Sequence, residues 1–183
     1  MPDAARQRSD ALKNREAILR VAHDALAESP DASLNSIAKR AGVGPGTLYR
    51  HFPTREALIL EVYRSDVDRL VASVPDVLAA HAPLDALRHW FTALTGYVRI
   101  KHGMGEALHS AAAAEVISAS WPPVTEAVRR LLDACEEAGE VRAGIDPVDV
   151  IMLLSCLWRT PGTPEGAAQA DRLLDLAIAG LRP

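Results

Sequence analysis

One short segment of the chain concentrates side chains of the kinds that bind phosphate groups. Hydroxyl, guanidinium and imidazole groups commonly donate hydrogen bonds to the phosphate oxygens of nucleic acids. They occur together within GPGTLYRHF, residues 44–52, where they belong to Thr47, Tyr49, Arg50 and His51. The segment therefore predicts contact with a polyanion.

The glycines around this segment also allow a different interpretation, a phosphate-binding loop. Gly42 and Gly44 begin the pattern G-x-G-x-x-G, but Thr47 stands where the pattern needs its last glycine. The segment also follows a helical pattern rather than a strand, and the sequence has no Gly-Lys-Ser or Gly-Lys-Thr. A nucleotide-binding loop is therefore disfavoured.

One group of possible metal ligands lies in the middle of the chain. His102, Glu106 and His109 are spaced at i, i+4 and i+7, which would place them on one face of a helix. Gly103 and Gly105 weaken the helix that this arrangement requires. The remaining histidines, cysteines and acidic residues have no sequence context that indicates nucleophilic catalysis. We therefore expect no metal, no cofactor and no enzymatic activity.

The elements that position the polar segment are predicted to be helices. Apolar residues recur at intervals of three and four along the whole chain, and no stretch shows the alternation of a strand. Glycine and proline separate the segments. The predicted helices, about nine in number, cover residues 11–28, 34–41, 45–51, 55–75, 83–102, 104–118, 122–138, 147–159 and 164–181.

Two of these helices are joined by a short turn, which is the pattern of a helix-turn-helix. Ser33 offers an N-cap hydroxyl to the second helix, and Gly42 follows its end, where a left-handed residue is common. Gly44 and Pro45 suit the N-cap and first position of the third helix. A helix that enters the major groove needs a polar outer side, and the small residues Gly44, Pro45 and Gly46 would let its backbone approach DNA closely.

The distribution of charge agrees with a DNA contact at one end of the chain. The 183 residues carry a formal net charge of −4. Residues 1–55 hold nine Lys and Arg against six Asp and Glu, a net charge of +3, whereas residues 56–183 hold eleven against eighteen, a net charge of −7. A basic N-terminal unit on an acidic body suits a protein that binds a polyanion with one end only.

The composition, 49% hydrophobic and 24% charged, is that of a soluble globular protein. No apolar run approaches the roughly 20 residues that span a bilayer, and the charged N-terminus lacks the apolar segment of a secretory signal. We therefore expect a cytoplasmic protein with no membrane contact. Cys135 and Cys156 lie in apolar helical patterns and are expected to be buried free thiols.

A longer run around the polar segment resembles a known family. SLNSIAKRAGVGPGTLYRHFPTREALILEVY is similar to the N-terminal DNA-binding domain of TetR-type transcriptional regulators, which ends in T-x-Y-x-H/Y-F before a short helix start that contains an acidic residue. The resemblance implies an all-α fold with a three-helix DNA-binding domain, residues 1–55. A long fourth helix would join it to a larger helical domain for effector binding and dimerisation, residues 56–183.

The resemblance also assigns roles to residues of the polar segment. It implies that Tyr49 and His51 contact backbone phosphates and that Thr47 lies at the groove. Arg50 is the best remaining candidate for a base or a phosphate contact. Further phosphate or groove contacts would come from Ser33, Asn35 and Arg55, and the backbone at Gly44, Pro45 and Gly46 would lie close to the DNA.

The C-terminal domain offers residue types rather than motifs. Aromatic side chains with polar tips could line an apolar effector cavity, although ordinary core packing fits each of them individually. The last two helices are apolar over a wide arc, and in the family this pair forms a four-helix dimer interface. The predicted effector pocket contains Trp90, Phe91, Leu94, Tyr97, His109, Trp121 and Trp158, and the predicted dimer interface contains Leu153, Leu154, Leu157, Leu173, Leu174, Ala177 and Leu181.

These expectations combine into a dimeric repressor that a small-molecule effector releases from a near-palindromic operator in double-stranded DNA. A second hypothesis, a helical small-molecule carrier or enzyme without a DNA role, predicts ligand binding or turnover with no salt-dependent affinity for DNA. The basic N-terminal unit and the outward polar residues of the third helix argue against it. An activator, or a repressor without an effector, fits the sequence as well.

Overall fold

The structure is a computed structural model that describes the backbone of residues 2–29, 31–103, 111–161 and 163–183. Side chains are described for residues 14–29, 31–95, 113–157, 159–161 and 163–183. The elements in these ranges are helical and include no strand, which confirms the all-α prediction. The described α-helices are α1 (Pro2–Glu28), α2 (Leu34–Arg40), α3 (Pro45–His51), α4 (Arg55–Ala72), α5 (Val74–Ala80), α6 (Pro83–Gly103), α7 (Ala111–Glu137), α8 (Pro147–Leu154) and α9 (Pro164–Leu181), with a 3-10 helix at Ser155–Arg159.

Two clusters of buried apolar side chains form the core. The first joins α1, α2, α3 and the beginning of α4, and it includes Ile18 and Leu48. The second joins the rest of α4 to the later helices, and it includes Trp90. Along α4, Val62 belongs to the first cluster and Val67 to the second. This helix of 18 residues, about 27 Å long, is therefore shared by both cores.

The ends of α1 and α4 differ from the sequence prediction. α1 begins at Pro2 rather than near residue 11. Several of residues 2–10 are good helix formers, but they have no apolar stripe, so periodicity did not indicate this part of the helix. α4 ends at Ala72 rather than near residue 75, and the separate helix α5 follows. The hydroxyl of Ser73 donates to the Leu70 carbonyl at 2.7 Å, and Pro75 has no N–H to continue the helix.

The predicted break between residues 118 and 122 is wrong. α7 continues through Pro122 and Pro123 to Glu137. The two prolines remove the hydrogen bonds to the carbonyls four residues earlier, and their rings crowd those carbonyls. The buried stripe from Val124 to Leu131 nevertheless continues on the same face against α4 and α6. Packing of this stripe explains why the helix persists. Of the helix predicted at 104–118, residues 104–110 lie outside the described residues.

The helix predicted at 147–159 is divided into α8 and the 3-10 helix that follows it. The Ser155 hydroxyl donates to the Met152 carbonyl at 2.6 Å, and the Cys156 thiol donates to the Leu153 carbonyl at 3.2 Å. Such side-chain bonds compete with the α-helical pattern, so the tighter helix begins at Ser155.

No helix in the described ranges is both long and apolar enough to cross a membrane.

Candidate DNA-binding interface

The turn between α2 and α3 is built by backbone hydrogen bonds that require a left-handed residue. Gly42 has φ +70°. Its N–H donates to the Lys39 carbonyl at 3.2 Å, and the Val43 N–H donates to the Ala38 carbonyl at 3.0 Å. These two bonds form a Schellman motif. The predicted end of the second helix is therefore confirmed, together with the N-cap, because the Ser33 hydroxyl accepts from the Ser36 N–H at 3.1 Å.

α3 is a short helix held by two apolar side chains. It begins at Pro45 after the N-cap Gly44 and ends at His51, as the sequence predicts. Leu48 and Phe52 are buried in the N-terminal core. Apart from the adjacent residues and the backbone of α3 itself, a Cβ atom added at Gly44 or Gly46 would have no described atom within 4 Å. Packing within the protein therefore does not explain the glycines, and an external surface has room to approach there.

The opposite side of α3 carries the predicted polar contacts. Tyr49 is 44% exposed, Arg50 is exposed, and Thr47 and His51 are half-buried. The Arg50 guanidinium lies along the helix, where Nε donates to the Gly46 carbonyl at 3.2 Å and Nη2 to the Thr47 hydroxyl at 3.1 Å. The four side chains thus share one turn and a half of helix.

The residues predicted to flank this face come from α2 and α4. Ser33 and Asn35 are exposed at the start of α2. Arg55 is half-buried at the start of α4, where its guanidinium donates to the Ala32 carbonyl. This bond connects the beginning of α4 to the loop before α2. Arg55 therefore helps to fix the two helix ends that border the face.

Two ion pairs that the sequence did not predict hold α1 against the rest of the N-terminal core. The Arg15 guanidinium pairs with Glu61 on α4 and lies 5.6 Å from the centre of the Phe52 ring. The Arg40 guanidinium donates twice to Glu28, at 2.7 and 3.0 Å, and this lowers the pKa of the Glu28 carboxyl. Both pairs join residues far apart in sequence, so periodicity gave no signal for them.

The residues of the predicted effector pocket are not all in one environment. Trp90, Phe91 and Leu94 are buried in the C-terminal core, where the Trp90 ring N–H donates to the Leu70 carbonyl at 2.9 Å. Trp121 is exposed on α7. His109 lies outside the described residues, and so do the side chains of Tyr97 and Trp158.

Two cavities among the described residues around the C-terminal core are lined by other residues. One, of about 210 Å³, lies between α4 and α7 and is lined by Arg64, Val67, Ser120 and their neighbours. The other, of about 120 Å³, lies between α6 and α9 and is lined by Thr95 and Asp171 among others. Both have polar and apolar walls.

The predicted dimer residues divide into two groups. Leu154, Leu157, Leu174 and Leu181 are buried in the C-terminal core, whereas Leu153 is exposed and Leu173 and Ala177 are half-buried. Two further apolar residues, which the sequence did not single out, are strongly exposed: Met152 (63%) and Leu176 (71%). A shallow groove of about 340 Å³ runs over this surface and is lined by Arg142, Leu153, Cys156, Leu173, Leu176, Ala177, Gly180 and Leu181.

The cysteines and the possible metal ligands require one correction. Cys135 is buried, and burial raises the pKa of its thiol to about 11. Cys156 is exposed, so the prediction that both thiols are buried is wrong for it. His102, Glu106 and His109 fall outside the described side chains. Among the side chains that the structure does describe, no three potential ligands gather into a metal site.

Comparison with protein families matches both halves of the chain. Residues 18–62 match the family described as bacterial regulatory proteins, tetR family. Residues 82–183 match the family described as transcriptional regulator SbtR-like, C-terminal domain. A curated HTH-type transcriptional regulator of Staphylococcus aureus is 34% identical over 99 residues, which are 52% of each chain. The match therefore spans about half the length of that relative.

Solved structures match over nearly the whole chain. A TetR transcriptional regulator from Streptomyces coelicolor is 44% identical, with a TM-score of 0.81, over 92% of this chain and 98% of that one. A TetR transcription regulatory protein from Mycobacterium vanbaalenii is 31% identical, with a TM-score of 0.75, over 97% and 99% of the two chains.

Proposed function

The chain belongs to the TetR family of bacterial DNA-binding transcriptional regulators, and on that basis we propose that it is a dimeric repressor released from its operator by a small-molecule effector. One observation supports the DNA contact above others. α3 buries Leu48 and Phe52 while it directs Tyr49 and Arg50 to solvent beside the open space at Gly46. A protein that acts on chromosomal DNA would work in the cytoplasm.

Each polar residue of α3 has a role in this proposal. Tyr49 and His51 bind backbone phosphates and fix the register of the helix, because phosphate contacts carry no sequence information directly. Thr47 lies at the groove. Arg50 contacts a base, since its planar guanidinium can donate two parallel hydrogen bonds to guanine. To do so it turns away from the Thr47 hydroxyl.

The flanking residues complete the contact with the DNA backbone. The hydroxyl of Ser33 accepts the N-cap hydrogen bond, and a hydroxyl also has one hydrogen to donate. Asn35 lies beside it on the exposed side of α2. Arg55 has five N–H donors, so its bond to Ala32 is compatible with a phosphate contact. The backbone of Gly44, Pro45 and Gly46 approaches the groove.

A second copy of the chain would cover the exposed apolar face of α8 and α9. Exposed apolar patches mark interaction sites. Leu153 and Leu176 line the groove described above, and Met152, the residue before Leu153, is also exposed. A two-fold axis would pair this face with itself. The symmetric dimer would place its two α3 helices roughly 34–36 Å apart or somewhat more, which suits a near-palindromic operator.

An effector would bind in the C-terminal domain and oppose DNA binding. Trp90 and Phe91 are tightly packed, so a ligand that reaches them has to open the core. The cavity between α4 and α7 is accessible without that step, and α4 leads directly to the N-terminal domain. Because coupling between two sites is reciprocal, the effector weakens DNA binding as much as DNA weakens effector binding.

Selection from genomic DNA tests the proposal and does not require a known operator. The full chain is incubated with fragmented genomic DNA at low salt, and the retained fragments are sequenced. We expect enrichment of a few fragments that share a near-palindromic site, including DNA that flanks the protein's own gene. Retention of fragments without any shared sequence would contradict a specific regulator. Reporter expression from a retained promoter then distinguishes a repressor from an activator.

A further inference from the structure

A buried carboxylate joins α1 to α4. Oδ2 of Asp66 lies 2.9 Å from Nδ1 of His23, and the Arg69 guanidinium donates to Oδ1 of the same side chain. Asp66 is only 3% exposed. Charged side chains are rarely buried so completely unless they are paired, and removal of one partner from a buried pair leaves an uncompensated charge. The pair therefore constrains both helices.

The position of this pair in the fold is distinctive. His23 lies on α1, whose apolar side chains belong to the N-terminal core. Asp66 lies on α4 between Val62, which belongs to the same core, and Val67, which belongs to the C-terminal core. The carboxylate thus occupies the point at which α4 passes from one core to the other. A contact at this point restricts the orientation of α1 relative to α4.

The charges around His23 favour its protonated form. On α4, the hydrogen bond to Asp66 and the charge of the same residue raise the pKa of His23, while Arg69 lowers it; on α1, Asp24 raises it. Burial opposes protonation, and the net result is a pKa above the ordinary value of 6.5. The other ion pair between α1 and α4 joins Arg15 to Glu61.

We propose that His23 is a positioning residue that locks the N-terminal domain to α4 through Asp66, more firmly when its imidazole is protonated, so that operator affinity falls as pH rises. The inference rests on the proposed DNA-binding function. In the proposed dimer, each copy contributes one N-terminal domain, and the two domains bind two half-sites together. If each domain is already held at a fixed angle to α4, the dimer loses less conformational freedom on binding. The lock therefore acts on binding through the preorganisation of α3, without touching DNA itself.

The sign of the effect follows from the direction of the pKa shift. Because the folded protein binds the proton of His23 more tightly than the unfolded chain does, protonation stabilises the fold. The full contribution is present below the unfolded pKa of about 6.5. It is lost as pH rises through the higher pKa of the folded state. DNA affinity is expected to decline over the same interval.

The test compares full-length His23→Gln with wild type at about pH 6 and about pH 8, the interval in which histidine titrates. Glutamine keeps a hydrogen-bond donor but cannot titrate. His89→Gln is the matched control, because His89 is exposed on α6 and stacks on His81. Both substitutions are also made together with His51→Gln. This removes the histidine of the α3 polar face, so that a change of affinity with pH cannot come from that residue. Chemical denaturation without DNA and operator affinity are measured for each protein.

We expect wild-type affinity to fall further than that of His23→Gln between the two pH values, because only the wild-type side chain can lose the proton that strengthens its contact with Asp66. The stability advantage over His23→Gln should shrink in parallel, and His89→Gln should follow wild type. The same pH profile for His23→Gln and wild type would overturn the inference. If the pH dependence of stability differs between wild type and His23→Gln but the pH dependence of operator affinity does not, the positioning role is overturned.

Nuclear magnetic resonance titration of His23 in the wild-type protein avoids dependence on a variant that folds poorly. Reciprocity predicts a higher pKa of His23 with operator DNA bound than without it. An equal pKa in both states would contradict the inference. If neither wild type nor any variant binds DNA, the proposed function fails. If the stability of wild type relative to His23→Gln still changes with pH as expected, the contact between α1 and α4 is supported independently of that function.

Discussion

Nη2 of Arg50 lies 3.1 Å from the hydroxyl oxygen of Thr47, one turn earlier on α3. This bond keeps the guanidinium along the exposed face of the helix, where it can exchange its partner for DNA.

Arg50→Lys keeps the charge but loses the planar fork. We expect operator affinity to fall about fivefold or more, because a bidentate base contact contributes roughly 1–3 kcal/mol. Fluorescence anisotropy with operator and unrelated DNA measures this; equal losses for both would assign Arg50 to a phosphate instead.

Tyr49 supplies a neutral hydroxyl to a charged phosphate in the proposed complex. Tyr49→Phe should weaken binding to operator and unrelated DNA alike by about tenfold or more, since a hydrogen bond to a charged group contributes roughly 1.5–3 kcal/mol. The dependence of affinity on salt should not change, because no cation is removed. Thr92→Ala, which alters an exposed hydroxyl on α6, is the control. Loss confined to the operator would argue for a base contact.

Two glycines of the helix-turn-helix should respond in opposite ways. Gly42→Ala forces alanine into a left-handed conformation and should destabilise the protein by about 1–2 kcal/mol. Gly46→Ala lies inside α3 with open space around the new Cβ, so it should stabilise the protein by roughly 0.5–1 kcal/mol. Operator affinity should nevertheless fall for Gly46→Ala, because the methyl group obstructs close approach. Chemical denaturation measures the stability of both variants, and fluorescence anisotropy measures their operator affinity. Unchanged operator affinity of Gly46→Ala would contradict a close approach of the α3 backbone to DNA.

Neighbouring leucines on α9 separate dimerisation from stability. Leu176 is 71% exposed and Leu174 is buried. Leu176→Glu should convert the dimer to a monomer with little change in monomer stability, whereas Leu174→Ala should cost about 2–5 kcal/mol of folding free energy. Analytical ultracentrifugation provides the measurement, and Arg129→Glu on the exposed side of α7 provides the control. A dimer that survives Leu176→Glu would exclude this face.

The sequence predicted the helix-turn-helix closely because its boundaries depend on local chemistry. Ser33, Gly42 and Pro45 each satisfy a cap or turn with atoms a few residues away. The same rules predicted a break before Pro122, where packing of the surrounding helix prevailed. Local propensity is a weak guide wherever tertiary contacts are extensive.

The faces of the last two helices show a second limit. Leu153 and Leu154 are equally apolar, yet the first is exposed and the second is buried. Periodicity identified the apolar arc but could not tell which part packs within the chain. The contact between His23 and Asp66 joins positions 43 residues apart, so nothing in the local pattern indicated it.

The DNA-binding role of α3 is decided by comparing wild type with the double variant Tyr49→Ala, His51→Ala on DNA that flanks the protein's own gene. Titration at low and moderate salt, with unfolding measured to show that the variant remains folded, separates recognition from stability. We predict saturable, salt-dependent binding by wild type and a loss of about 100-fold or more in the double variant, from two contacts of roughly 1.5–3 kcal/mol each. Absence of saturable binding by wild type at low salt, or equal binding by both proteins, would contradict this role.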